Sequence, residues 1–182
     1  MFLVAVVLLG ALTVPLLGGR LGALADLRAG WAWTLVAALA LQLLALYLPG
    51  LPDGARAGLL LASYPVAAVF VVANRHLPGI WLIGLGAACN FLAMALNGGV
   101  MPAAPSALAA AGLPAEPDGF ANSAALPDPR LPWLGDVFAI PASWPLSNVF
   151  SVGDLCIALG AVWTIHRVCG SRLAPSARRN AG

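Results

Sequence analysis

The chain has 182 residues, of which 61% are hydrophobic and 9% charged, with a formal net charge of +2 and a mean hydropathy of +0.92. Ordinary soluble domains are roughly 45–50% apolar and roughly 25% charged, so the composition excludes a typical soluble globule and argues for a membrane protein. The small net charge and the lack of a basic aromatic patch exclude a nucleic-acid binder.

All nine basic residues are arginine, which together with abundant Ala, Gly, Pro and Leu points to a high-GC bacterial genome. Cys89, Cys156 and Cys169 match neither a metal nor a CxxC spacing and read as small packing residues.

A helix that crosses ~30 Å of hydrocarbon needs about 20 mostly apolar residues. Five blocks meet that requirement, about 2–19, 31–48, 57–74, 78–96 and 152–169. Lipid cannot satisfy exposed backbone groups, so each is expected to be helical. The predicted fold class is therefore all-α: a polytopic membrane protein, one integral-membrane domain over 1–182, with five transmembrane helices and a long outward-facing loop between helices four and five.

Taken in order, the first block contains Pro15 and is followed by Arg20 and Arg28. Ala23-Leu24-Ala25 resembles a signal-peptide cleavage site, but no positive charge precedes the apolar run, which favours a retained helix. Gln42 in block two and Asn90 in block four are polar groups expected to bond neighbouring helices. Asn90 and Asn97 are seven residues apart and share a helix face, and Gly153 and Gly160 do the same in block five. This predicts that helices four and five pair closely. No block carries a charged residue near its centre, which argues against an ion-coupled carrier.

The loop, 97–150, contains nine of the fifteen prolines and four of the seven acidic residues. Its apolar content (Phe120, Trp133, Phe138 and Trp144 among others) predicts a lid packed on the bundle rather than a disordered tether. Asn97-Gly98-Gly99 should end helix four, and Ser106 can cap a short helix at about 107–111 closed by Gly112. The proline-spaced stretch 131–146 reads as extended segments and turns. Ser151 and Asp154 are spaced as a capping box for the last helix.

Arginine placement gives an orientation. The first and third connectors and the 170–182 tail hold Arg20, Arg28, Arg75, Arg172, Arg178 and Arg179, whereas the long loop sets Glu116, Asp118, Asp128 and Asp136 against Arg130 alone. The expected location is the bacterial cytoplasmic membrane, with the N-terminus outside and the C-terminus cytoplasmic. Trp31, Trp33, Trp81 and Trp163 then fall near one boundary as an interfacial belt.

The ordered motifs NGGVMP (97–102), LPWLGD (131–136) and NVFSVGD (148–154), with a small-residue helix ending in AGL, resemble a bacterial integral-membrane family known as domain of unknown function 5317. Gln42, the Arg20–Arg28 connector and Asn74-Arg75-His76-Leu77-Pro78 fit the same pattern, while residues 114–130 are more proline-rich than it. The resemblance implies an architecture and no activity.

The functional expectation is a non-catalytic membrane protein that binds a small molecule, lipid or protein partner at its outer loop. The candidate binding residues are Asn90, Asn97, Asp136, Asn148 and Asp154, converging at the outer mouth of the bundle. Expected partners are the lipid bilayer and a membrane-protein or lipid-like ligand. No cofactor, metal site or catalytic residue is expected, since His76 and His166 lie away from the outer aspartates. A small transporter or channel and a lipid-modifying membrane enzyme are the alternatives.

Overall fold

The computed structural model of the chain describes residues 2–115 and 122–174. Glu116, Asp118 and Phe120 of the loop, and Arg178 and Arg179 of the tail, lie outside the described residues. The helices are α1 (Phe2–Leu16), α2 (Trp33–Tyr47), α3 (Asp53–Ala73), α4 (Ile80–Leu96), α5 (Pro105–Ala111) and α6 (Val152–Val168), with 3-10 turns at Leu21–Leu24 and Pro132–Leu134. Among the described residues four short strands join them: β1 (Met101–Pro102), β2 (Ser123–Ala124), β3 (Asp136–Ile140) and β4 (Asn148–Ser151). β1 pairs in parallel with β2, and β3 pairs antiparallel with β4.

This architecture is mixed α/β and overturns the expectation of an all-α protein with five transmembrane helices. Each apolar block does contain a helix, but among the described residues only α3, at 21 residues, is long and apolar enough to cross a membrane. Helices of 15 to 17 residues such as α1, α2, α4 and α6 reach ~22–26 Å, short of ~30 Å of hydrocarbon.

The discrepancy lies in the block ends, where apolar residues serve as turns. Gly18 (φ 75°) closes α1, Trp31 (φ 56°) precedes α2 and Gly79 (φ 86°) precedes α4. α6 carries Asp154 in its first turn and His166 and Arg167 in its last. The apolar blocks include Gly18, Trp31 and Gly79, where the backbone turns instead of continuing a helix.

Two helix groups form the body. α2 packs along α3, tied by Gln42 Nε2 donating to Ser63 Oγ at 3.1 Å. Arg56 of α3 donates to the carbonyls of Ala45, Leu48 and Leu51, holding the C-terminal end of α2. α4 packs along α6, and α1 also packs against α6. The α4–α6 approach depends on glycine, since a Cβ at Gly86 would collide with the Gly153 carbonyl and one at Gly160 with that of Gly79.

Across its described residues the 97–151 segment forms short helices and strands that pack on α4 and α6. Gly98 and Gly99 end α4 with positive φ, and the Gly99 amide bonds the Met94 carbonyl at 2.8 Å. α5 starts on Pro105 with Ala104 as its cap, so Ser106 is not the cap, and Gly112 (φ 68°) closes it as expected. The 131–146 stretch gives a hairpin strand that stops at Ile140, directly before Pro141. A small core of Ala103, Ala107, Leu108, Ala111 and Val149 joins α5 to the hairpin.

Candidate functional site

A closed ring of polar side chains sits where α4 meets the start of α6. Ser151 has extended backbone and caps α6, with its Oγ accepting from the Asp154 amide at 2.9 Å. The Asp154 carboxylate accepts in return from the Ser151 amide at 3.1 Å, which completes the capping box read from the sequence. Asn90, buried on α4, closes the ring: its Nδ2 donates to Asp154 Oδ1 at 2.9 Å and its Oδ1 accepts from Ser151 Oγ at 2.8 Å. Gly153 makes room, because a Cβ there would overlap Asn90 Oδ1.

Asp136 lies beside this ring. It pairs with Ser151 in the β3–β4 ladder, and its carboxylate accepts from Ser123 Oγ of β2 at 2.6 Å. Its side chain is therefore a tie between the two small sheets. The approach of Gly135 to β1 is so close that a Cβ would meet the Pro102 carbonyl. Burial pushes the Asp136 carboxyl up to about 6, the Asp154 charge adds to the rise, and the Ser123 hydrogen bond partly opposes it.

The two other candidate residues lie elsewhere. Asn97 forms a separate clamp: its Nδ2 donates to the carbonyls of Ala93 and Arg130, and its Oδ1 accepts from the Arg130 amide at 2.8 Å. Asn148 pairs with Ile140, at the opposite end of the ladder from the Asp136–Ser151 rung. At ~3.3 Å per strand residue that separation is ~10 Å or more. The structure brings together Asn90, Asp136 and Asp154 and leaves Asn97 and Asn148 apart.

Ser123 and Ser151 complete the cluster. Ser151 was readable only as a cap, and Ser123 gave no local signal because its partner lies thirteen residues away in another sheet. His166 is fully buried: Ser171 Oγ lies 2.7 Å from its Nδ1, and the Gly10 carbonyl 3.1 Å from its Nε2. Among the described residues, every buried side-chain nitrogen and oxygen has a hydrogen-bond partner, and no three metal-binding side chains gather.

A cleft of about 270 Å³ opens on the 97–151 segment, lined by Pro102, Pro105, Pro129, Pro132, Trp133 and Val137 among others. Trp133 is 63% exposed at its edge.

Residues 26–166 match the model of the family of unknown function DUF5317. The chain belongs to this family. All five candidate residues and the Trp133 cleft fall within the family segment, while α1 precedes it. The chain is also 30% identical over 98 residues to an uncharacterized protein of Thermotoga maritima. That alignment covers 54% of this chain and 56% of the relative, so the chain spans little more than half the relative's length. No solved structure matches the chain. Membership in DUF5317 brings no activity with it, and the chemistry must be read from the residues.

Proposed function

We propose that this DUF5317 member is a membrane-resident binding protein, without chemistry of its own, that holds the hydrocarbon end of a lipid-like ligand in the cleft beside Trp133. The observation that carries this reading is the contrast within the 97–151 segment. The Asn90, Ser151, Asp154, Asp136 and Ser123 side chains are engaged with one another, so they build a frame. The cleft that the frame supports is lined by proline rings, an indole and Val137. Its volume lies just below the ~300 Å³ at which pockets begin to take whole drug-sized molecules, which fits the end of a chain.

Lipid surroundings have separate support. Only 11% of the apolar window of α3 is buried, whereas the core helix of a soluble protein is mostly covered. Leu8, Leu9, Leu12 and Leu16 of α1 and Val36 and Leu39 of α2 also point outward. An apolar surface this extensive needs an apolar medium.

The test is mass spectrometry of lipid retained by the full chain purified in mild detergent. Val137→Trp fills the cleft and Trp133→Ala removes its wall, and both should lose a ligand that the parent retains. Equal lipid content in all three proteins overturns the cleft.

A further inference from the structure

The far end of the molecule from the 97–151 segment has a different character. Backbone and side-chain bonds gather there the C-terminal ends of α1, α3 and α6 and the N-terminal ends of α2 and α4. The Arg20 amide bonds the Cys169 carbonyl at 3.0 Å and the Arg172 amide bonds the Leu17 carbonyl at 3.0 Å, clasping α1 to α6. Asn74 exchanges bonds with both backbone groups of Gly30 at 2.9 and 2.8 Å, tying the end of α3 to the approach to α2. Thr164 Oγ1 donates to the Pro78 carbonyl, tying the start of α4 to α6.

Five arginines are thereby collected at one end: Arg20, Arg28, Arg75, Arg167 and Arg172, against Asp26. All but the half-buried Arg167 are exposed. Helix dipoles do not account for them. Three C-terminal ends and two N-terminal ends sum to about half a negative charge, which one arginine in the last turn of α6 answers. At the other end, Asp53, Asp128, Asp136 and Asp154 outnumber Arg56 and Arg130.

Four tryptophans ring the basic end. Trp31 and Trp33 are 57% and 61% exposed with ring centroids 5.7 Å apart, and Trp81 and Trp163 are also exposed. Beyond them, toward the middle of the molecule, come exposed aliphatic side chains such as Leu8, Leu39, Leu85 and Leu159. The sequence charged, aromatic, aliphatic follows the molecular axis. An acidic protein partner would match the charge but not the ordered aliphatic zone behind it. A bilayer leaflet with anionic headgroups matches all three zones.

We propose that the arginine end binds the phosphate headgroups of anionic phospholipids. The inference shares the lipid surroundings with the proposed function but not the cleft, so it stands or falls separately from Trp133.

The test uses the full chain in neutral detergent, titrated with phosphatidylglycerol or phosphatidylcholine, with thermal unfolding and retained lipid as the readouts. The chain should bind phosphatidylglycerol on the order of tenfold more tightly than phosphatidylcholine at low salt. The preference should shrink at about 0.5 M salt, where screening shortens to a few ångströms. The combined variant Arg20→Gln, Arg75→Gln, Arg172→Gln should lose the preference, the matching lysine variant should keep it, and Trp133→Ala should leave it intact. Equal binding of the two lipids, a preference indifferent to salt, or its survival in the glutamine variant overturns the proposal. Inorganic phosphate reproducing the full shift also overturns it, in favour of a free-anion site. Should the glutamine variant not fold, lipid choice and salt dependence in the parent decide.

Discussion

At the scale of single residues, Asp136 and Ser151 make different demands on the fold. Asp136 is buried with a folded value near 6 against an ordinary 3.8, so between those values the folded chain keeps a proton that the unfolded chain has lost. Stability contributed by that proton is full below about pH 4 and is lost as pH rises through about 6. Asp136→Asn can still accept from Ser123 without a charge. It should flatten this slope and raise stability above pH 6 by about 1–3 kcal/mol, measured by thermal unfolding at pH 5 and pH 8. Ser151→Ala removes the α6 cap, at about 1 kcal/mol, and leaves buried Asn90 Oδ1 without its donor, at about 1–3 kcal/mol more. Denaturant unfolding should show the summed loss, and a loss equal to a cap alone would remove Asn90 from the ring. The capping box was legible because Ser151 and Asp154 are three residues apart. The bonds to Asn90, sixty-one and sixty-four positions away, were not, because no local spacing encodes a contact between helices.

At the scale of elements, α4 and α6 pair as the glycine spacing predicted. Gly153→Ala should destabilise by about 1–3 kcal/mol, since its Cβ has no space against Asn90 and the Gly86 carbonyl. Gly58→Ala on α3 is the control: nothing lies within 4 Å of its Cβ position, and it should stabilise by about 0.4–1 kcal/mol. Urea unfolding of the two variants reads both signs, and equal effects would show that the α4–α6 approach is not tight. The hairpin β3–β4 escaped the sequence reading. Prolines at 132, 141 and 145 forbade a central strand, and that argument holds, but a two-stranded hairpin has only edges. Proline outside the paired rungs costs it nothing. Phe138 and Phe150, stacked across the strands at 5.4 Å, supply its cross-strand contact.

At the scale of the whole molecule, charge and apolarity are sorted along one axis, with the arginine–tryptophan end opposite the acidic 97–151 segment. An apolar exterior of this extent predicts that the full chain, expressed in bacteria, stays in the membrane pellet after alkaline carbonate extraction. Recovery in the supernatant would end the membrane-resident reading. The five-helix count failed at this scale for a geometric reason. Hydropathy sums side chains over a block, and Gly18, Trp31 and Gly79 fall inside the blocks while their backbones turn.

The sequence by itself determined the apolar character of the chain, the five principal helices, the α6 cap, the glycine stops and the family. Each depends on residues within a turn or two of one another, or on composition, which local chemistry specifies. Only the tertiary structure decided that three of the five candidate residues meet, that Ser123 and Ser151 complete them, that the lid is a pair of small sheets, and that among the described residues one helix alone has the length of a crossing. Those depend on contacts between residues dozens of positions apart and on where the backbone turns. They are settled when α4, α6 and the 97–151 segment pack together.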